Sequence, residues 1–172
     1  MDKETPEDTG HAIDLWITAL EQYDLLQLCT KPAPDSWSLG QVYMHLIEQA
    51  GYYLEQIKIC LSREEYVLEE MSPDAKKMFR ANAFPDALIE GPPTNATTPQ
   101  PVSKEAIMRA LLDLKKEFSR MKILIAQNPL QGKTKHPGLH YFSAADWFQF
   151  ADMHFRHHFR QKKRIDDFLK TK

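Results

Sequence analysis

Apolar residues recur every three or four positions in four long stretches of the sequence. In the second stretch this spacing holds for three heptads, at Leu39, Tyr43, Leu46, Ala50, Tyr53, Ile57 and Cys60. Such a repeat gives a helix one continuous apolar face, and no stretch shows the sustained alternation of apolar and polar residues that is typical of a strand. The sequence therefore predicts an all-α fold built from four helices.

The ends of these four helices are marked by capping residues and by proline. The first is expected over residues 10–28, where "KPAPD" stops it, with one face formed by Ile13, Ile17, Leu20, Asp24 and Leu28. The second begins at Ser38, which forms a capping box with Gln41. The third covers 103–127, and the fourth runs from 143 to about 169.

The connection between the second and third helices is by far the longest. It has about 40 residues and contains "SPDAKKMF", which predicts a short helix capped by Ser72 with Pro73 at its first position, followed by the proline-rich "EGPPTNATTPQP". Short connections place antiparallel helices side by side, whereas a long one can return the chain across the bundle. We predict a single domain over residues 1–172, an antiparallel four-helix bundle with one long crossover between helices two and three.

Charge and cysteine content exclude several classes of protein. A formal net charge of −2 is not that of a chain that binds nucleic acid or an anionic membrane. Two cysteines, Cys29 and Cys60, are too few for a disulfide framework and fit a reducing compartment. The N-terminus is acidic where a signal peptide is basic and then apolar, and no apolar run is long enough to span a membrane. We expect a soluble cytoplasmic protein.

The segment "ADMHFRHHFRQ", residues 151–161, carries three of the seven histidines of the chain. A heptad grid on the fourth helix places seven residues on one inward line: Trp147, Ala151, His154, His158, Gln161, Ile165 and Phe168. His157 falls on the outer or flanking side with Arg156 and Arg160, which predicts a solvated side chain. His154 and His158 are therefore the inward pair.

Two histidines four residues apart lie one turn apart on the same face of a helix and can hold one ion between them. Alone, the pair is more often two core histidines bonded to polar neighbours, so a third ligand is needed. His45 is the best candidate, on the edge of the second helix's apolar face, with Gln41 and Gln49 one turn away on either side. Polar groups on a core-facing edge need partners, and an ion would provide one.

Two motifs resemble the DinB/YfiT-like superfamily of four-helix bundles: "WSLGQVYMHL" at 37–46 and "HFRHHFRQ" at 154–161. In that family a histidine of the second helix and an HxxxH pair of the last helix bind a divalent metal. The resemblance implies that His45, His154 and His158 are the ligands. Gln41, Gln49 and Gln161 are placed to orient imidazoles or bound water, and Gln49 fits an ordinary helix-surface glutamine equally well. "HPGLHYFSAADW", at 136–147, is similar to a loop of one branch that usually has a glycine near the position of His140.

Three imidazoles without a carboxylate or thiolate suit zinc or nickel and leave coordination positions open. Two functions fit. The chain is either a metal-dependent enzyme acting on a small molecule, a hydrolase or a low-molecular-weight thiol S-transferase, or a non-catalytic metal- or ligand-binding bundle. No motif identifies a catalytic residue. His136 and His140 are loop histidines that either serve as ligands or are solvated. Tyr and Phe residues beyond the four helix faces leave apolar surface exposed, and members of the family it resembles commonly pair through helices, so we expect a homodimer.

Overall fold

The computed structural model describes residues 9–85 and 97–172; most of the proline-rich coil and the N-terminal residues therefore lie outside the described chain. In chain order the elements are α1 Thr9–Leu20, α2 Leu25–Cys29, α3 Leu39–Ser62, α4 Pro73–Ala81, α5 Lys104–Gln127, β1 Lys133–His136, β2 His140–Ser143, α6 Ala144–His157 and α7 Phe159–Leu169. The long helices α1, α3, α5 and α6 with α7 form the bundle. The all-α four-helix fold is confirmed.

Each long helix packs mainly against two others. α3 contacts α6 and α5, while α1 contacts α5 and α6, so that α1 and α3 lie on one diagonal of the bundle. The starts of α3 and α5 are adjacent, because a side chain at Gly40 would collide with Pro101. Their ends are also adjacent, since Asn128 Nδ2 donates to the carbonyl of Leu61 at 2.8 Å. The helices α3 and α5 are therefore parallel.

The long crossover between α3 and α5 is thus confirmed, and it explains why the bundle is only partly antiparallel. Antiparallel packing holds for α3 with α6, where Cys60 Sγ at the end of α3 donates to the carbonyl of Phe142 just before α6. It also holds for α1 with α5. The expectation of antiparallel neighbours was wrong for α3 and α5, because the crossover carries the chain back along the full length of the bundle before α5 begins.

The predicted helix starts are confirmed by hydrogen bonds at their caps. Ser38 Oγ accepts from the backbone of Gln41, whose side-chain oxygen accepts from the backbone of Ser38. Ser72 caps α4, with Pro73 at the first position, and Ser103 caps α5. Each cap satisfies a backbone N–H that a helix leaves without an intrahelical partner.

The first helix ends earlier than the apolar spacing predicted, at Leu20 rather than at Leu28. Asp24 is exposed and does not belong to the inward face. Its carboxylate accepts from the backbone of Gln27, and the Gln27 side chain accepts from the backbone of Asp24. This capping box begins a second short helix, α2. Aspartate is more favourable at a helix start, where its side chain accepts from free backbone amides, than inside a helix, so the chain ends α1 and starts again at Asp24.

A two-stranded antiparallel hairpin precedes α6 and was not predicted. Its register pairs Lys133 with Ser143 and His136 with His140, across a loop of residues 137–139. Strands of four residues are too short to show a period of two. Phe142 is fully buried and Trp147 Nε1 donates to Thr134 Oγ1 at 2.7 Å, so the hairpin packs over the start of α6. None of the helices in the described part of the chain is long and apolar enough to cross a membrane.

Replacing His140 with glycine is expected to stabilise the protein by about 1 kcal/mol. His140 has φ 68°, in the left-handed region, where a side chain with a Cβ atom is strained and glycine is not. Urea unfolding measures the change. Lys135→Gly is the matched control in the facing strand, where φ is not positive, and it should destabilise because glycine gains chain entropy on unfolding. Equal destabilisation by both changes would contradict the strain at His140.

Candidate metal centre

Three histidines from different parts of the bundle meet at one point. His45 comes from α3, His154 from the last turn of α6, and His158 from the junction of α6 and α7. His154 Nε2 lies 3.2 Å from His45 Nε2 and 3.1 Å from His158 Nε2. One ligand atom from each residue falls within 4.8 Å of the other two. The structure thus brings together the three histidines that the heptad grid and the resemblance singled out.

The local fold explains this convergence. His154 and His158 are four residues apart, so they project from the same face of the fourth helix towards α3. His45 is buried beside the core residue Leu46, and the indole ring of Trp37 packs on its imidazole with ring centroids 5.0 Å apart. Because α3 and α6 are antiparallel, the early part of α3 faces the end of α6. The cluster therefore lies at the end of the bundle opposite the hairpin.

Hydrogen bonding within the cluster leaves the three nitrogens incompletely satisfied. Gln161 Oε1 lies 2.8 Å from His158 Nδ1, and because a carboxamide oxygen only accepts, Nδ1 carries the proton and His158 Nε2 presents a lone pair. His154 Nε2 bears at most one proton and can donate fully to only one of its two neighbours. A cation placed among the three Nε2 atoms would use their lone pairs together, so the donor set fits a metal ion.

Burial keeps the three imidazoles neutral. Burial lowers the pKa of His45 to about 4 and, with the repulsion from His45 as a smaller cause, lowers that of His158 to about 3. Burial also holds the pKa of His154 well below its ordinary range, helped by repulsion from the two neighbouring imidazoles. Metal ligation requires neutral imidazole, so the ligands are ready to bind at neutral pH without first losing a proton.

His157 lies outside the cluster but is not solvated as the sequence predicted. Its ring is half-buried against Phe84, with centroids 5.1 Å apart, and burial lowers its pKa. Phe84 lies just after α4, and a heptad grid on the fourth helix alone gives no information about contacts with that segment. The placement of His157 to the side of the inward line is nevertheless the one that the grid gave.

The loop histidines have structural positions at the other end of the bundle. His136 Nδ1 accepts from the backbone amides of Gly138 and Leu139, each at 3.1 Å, and its ring packs on Phe142 and Trp147. Burial lowers the pKa of His136 to about 4. His140 is exposed in the left-handed region. His136 thus stabilises the hairpin turn, and neither residue lies in the cluster.

The three glutamines near the site have different surroundings. Gln161 bonds His158 directly, as a residue that orients an imidazole would. Gln41 is buried, but its side-chain nitrogen donates to the carbonyl of Thr98 and its oxygen serves the cap of α3. Gln49 is half-buried one turn along α3 from His45. Of the three, Gln161 makes the hydrogen bond that fixes one of the clustered imidazoles, that of His158.

Aromatic rings border the cluster. Trp37 packs on His45, and Tyr53 meets the ring of His154 with centroids 5.7 Å apart. Phe84, 5.9 Å from His154, was missed. Its position depends on Asn82, which ends α4 in the left-handed region and whose carbonyl accepts from Arg156 at 2.9 Å. An asparagine shortly after a predicted helix was the available signal.

The fold and the site define a class of protein, a four-helix bundle whose facing helices bring three histidines together. The family model of the DinB superfamily matches residues 10–161, and the chain belongs to that superfamily. Among solved structures, YfiT from Bacillus subtilis, a probable metal-dependent hydrolase with an unusual four-helix bundle topology, matches with a TM-score of 0.59. The two share 15% identity, over 97% of this chain and 89% of that one, which shows a common fold. No curated protein matches the sequence.

Proposed function

We propose that this chain is a metal-dependent enzyme that acts on a small-molecule substrate. His45, His154 and His158 would hold its one zinc or nickel ion. The observation that carries the proposal is the convergence of three Nε2 atoms from neutral, buried imidazoles. Membership of the DinB superfamily and the hydrolase activity attributed to YfiT support it. Three protein ligands are the number found in catalytic zinc sites, where further positions remain for water or substrate.

The charge of the ligand set bears on the reaction. No carboxylate or thiolate of the described residues belongs to the cluster, so the protein ligands contribute no negative charge. A divalent ion held there would lower the pKa of a bound water or thiol and polarise a substrate oxygen. Hydrolysis and thiol transfer both use this chemistry. The neutral donor set favours an anionic partner such as a thiolate, which keeps S-transfer as the second candidate beside hydrolysis.

The chain's own residues orient the ligands and restrict solvent. Gln161 holds His158 in the tautomer that carries its proton on Nδ1, which leaves the Nε2 lone pair free towards the cluster. The rings of Trp37, Tyr53 and Phe84 contact the imidazoles and replace water around them with apolar surface. Electrostatic interactions are stronger in such surroundings than in bulk water.

The test is an activity screen on the purified protein, stripped with a chelator and reloaded with zinc or nickel. Ester and amide substrates report hydrolysis, and pairs of a small thiol with an electrophile report transfer. We expect turnover only with metal present, and none from His158→Ala under the same conditions. A protein that binds one ion and is inert throughout both screens would support the alternative, in which the ion braces the bundle or holds a ligand without turnover.

A further inference from the structure

The fourth helix is interrupted at His158, the second of the two metal-ligand candidates that it carries. α6 ends at His157 and α7 begins at Phe159, with His158 at the junction. The amide of His158 still donates to the carbonyl of His154 at 3.3 Å, and that of Lys162 donates to His158 at 2.9 Å. In an uninterrupted helix the amide of Phe159 would donate to the carbonyl of Phe155, and the helical hydrogen-bond pattern is broken at His158, between these two residues. The break therefore falls where that hydrogen bond would form.

The sequence around the break contains no proline or glycine, so the cause lies elsewhere in the fold. Kinks without these residues arise where another group enters the hydrogen-bond ladder of a helix. Trp16 of α1 does so, because its Nε1 donates to the carbonyl of Phe155 at 3.0 Å in a buried contact. The indole also stacks on Phe159, with centroids 4.9 Å apart and an interplanar angle of 11°. Trp16 thus contacts both Phe155 and Phe159, the two residues that the interrupted hydrogen bond would join.

Trp16 is itself held firmly by the helix that carries the third histidine. It is fully buried, and the ring of Tyr43 meets it edge-on with centroids 5.0 Å apart. The Tyr43 hydroxyl donates to the backbone carbonyl of Trp16 at 2.8 Å. Tyr43 lies two residues before His45 on α3. One tryptophan therefore links the part of α3 near His45 to the helix break at His158.

We infer that Trp16 is a positioning residue for the metal centre. By taking the carbonyl of Phe155, its indole N–H opens the helix and sets the direction of His158 relative to His154. The same break sets where Gln161, on α7, meets the His158 imidazole. The inference rests on the proposed metal site for its functional meaning, while the effect of Trp16 on the helix is independent of any ion.

The experiment compares Trp16→Phe with Trp147→Phe. Phenylalanine keeps a ring against Phe159 but has no N–H to donate. Trp147 is equally buried and also donates through its indole, yet its partner is Thr134 in the hairpin, so it is the matched control. Two quantities are measured: hydrogen exchange of the Phe159 amide in the metal-free protein, and the affinity and visible absorption of Co²⁺, whose bands report coordination geometry.

In Trp16→Phe the carbonyl of Phe155 is free to accept from Phe159, so exchange of that amide should slow relative to wild type. Affinity for Co²⁺ should fall about tenfold, the lower end of the range for residues that orient ligands, and the absorption bands should shift. Trp147→Phe should leave the Phe159 exchange, the Co²⁺ affinity and the bands unchanged. Unchanged exchange and unchanged bands in Trp16→Phe would overturn the inference.

Two further outcomes are distinguishable. If the wild-type protein binds no Co²⁺, the proposed metal site fails, while the Phe159 exchange still decides whether Trp16 opens the helix. If Trp16→Phe does not fold, Trp16→His replaces it, because His Nε2 occupies the same position in the five-membered ring as Trp Nε1. Trp16→His should retain fast exchange at Phe159 and wild-type Co²⁺ bands, and slow exchange with shifted bands in that variant would contradict the inference.

Discussion

Replacing His154 with alanine is expected to weaken binding of zinc or nickel by more than about 100-fold. Loss of a residue that only orients a ligand costs about 10- to 100-fold in metal affinity, and loss of a ligand itself should cost more. His154 Nε2 lies between the Nε2 atoms of His45 and His158. His45→Ala and His158→Ala should have effects of the same order. Competition with a chromophoric chelator at fixed pH measures all three affinities.

His157→Ala is the control for this series. It removes a histidine adjacent in sequence to a proposed ligand, but one whose ring packs on Phe84 and lies outside the cluster. Its metal affinity should stay close to that of wild type, although its stability can fall because the contact with Phe84 is lost. If His157→Ala lost the ion and His158→Ala kept it, the assignment on the fourth helix would be wrong by one residue.

The metal-free protein is expected to lose stability steeply as the pH falls from about 6.5 towards 4. Burial lowers the pKa of His45 to about 4 and of His158 to about 3, from ordinary values of 6.5. In that interval the unfolded chain takes up a proton on each histidine and the folded chain does not. Because the unfolded state binds more protons, each histidine lowers the free energy of unfolding by about 1.4 kcal/mol per pH unit.

Urea unfolding at several pH values, with a chelator present, measures this slope. In His45→Gln one of the groups that bind a proton is removed, so the slope between about pH 6 and 4.5 should decrease by about 1.4 kcal/mol per pH unit. His136→Gln should produce a similar decrease, because burial lowers the pKa of His136 to about 4 without any part in the cluster. A slope that is the same in wild type and His45→Gln would show that His45 is not buried as a neutral group.

The part of the site that could be predicted from the sequence is the part that depends on helical spacing. The grid placed His154 and His158 on the inward line, and the structure brings both beside His45. The helix starts could also be predicted, because the side chains of Ser38 and Ser103 accept hydrogen bonds from backbone amides only three residues further along the chain. Local signals of this kind need no knowledge of how the helices pack.

The features that the sequence did not reveal depend on contacts between distant residues. The break at His158 follows from Trp16, which is 139 positions away from its partner Phe155. The position of Phe84 follows from the hydrogen bonds of Asn82 with Arg156. The early end of α1 is the exception. Asp24 and Gln27 signalled a second start within the predicted helix, and the apolar spacing of the neighbouring residues obscured that signal.

The central claim is that one divalent ion is bound by His45, His154 and His158. The most direct test is a crystal structure of the zinc- or nickel-loaded protein with diffraction data collected on both sides of the metal's absorption edge. We expect one anomalous peak for each chain, surrounded by the Nε2 atoms of these three histidines. A peak at His136, His140 or His157 with none among the three, or three imidazoles bonded only to protein groups in metal-soaked crystals, would contradict it.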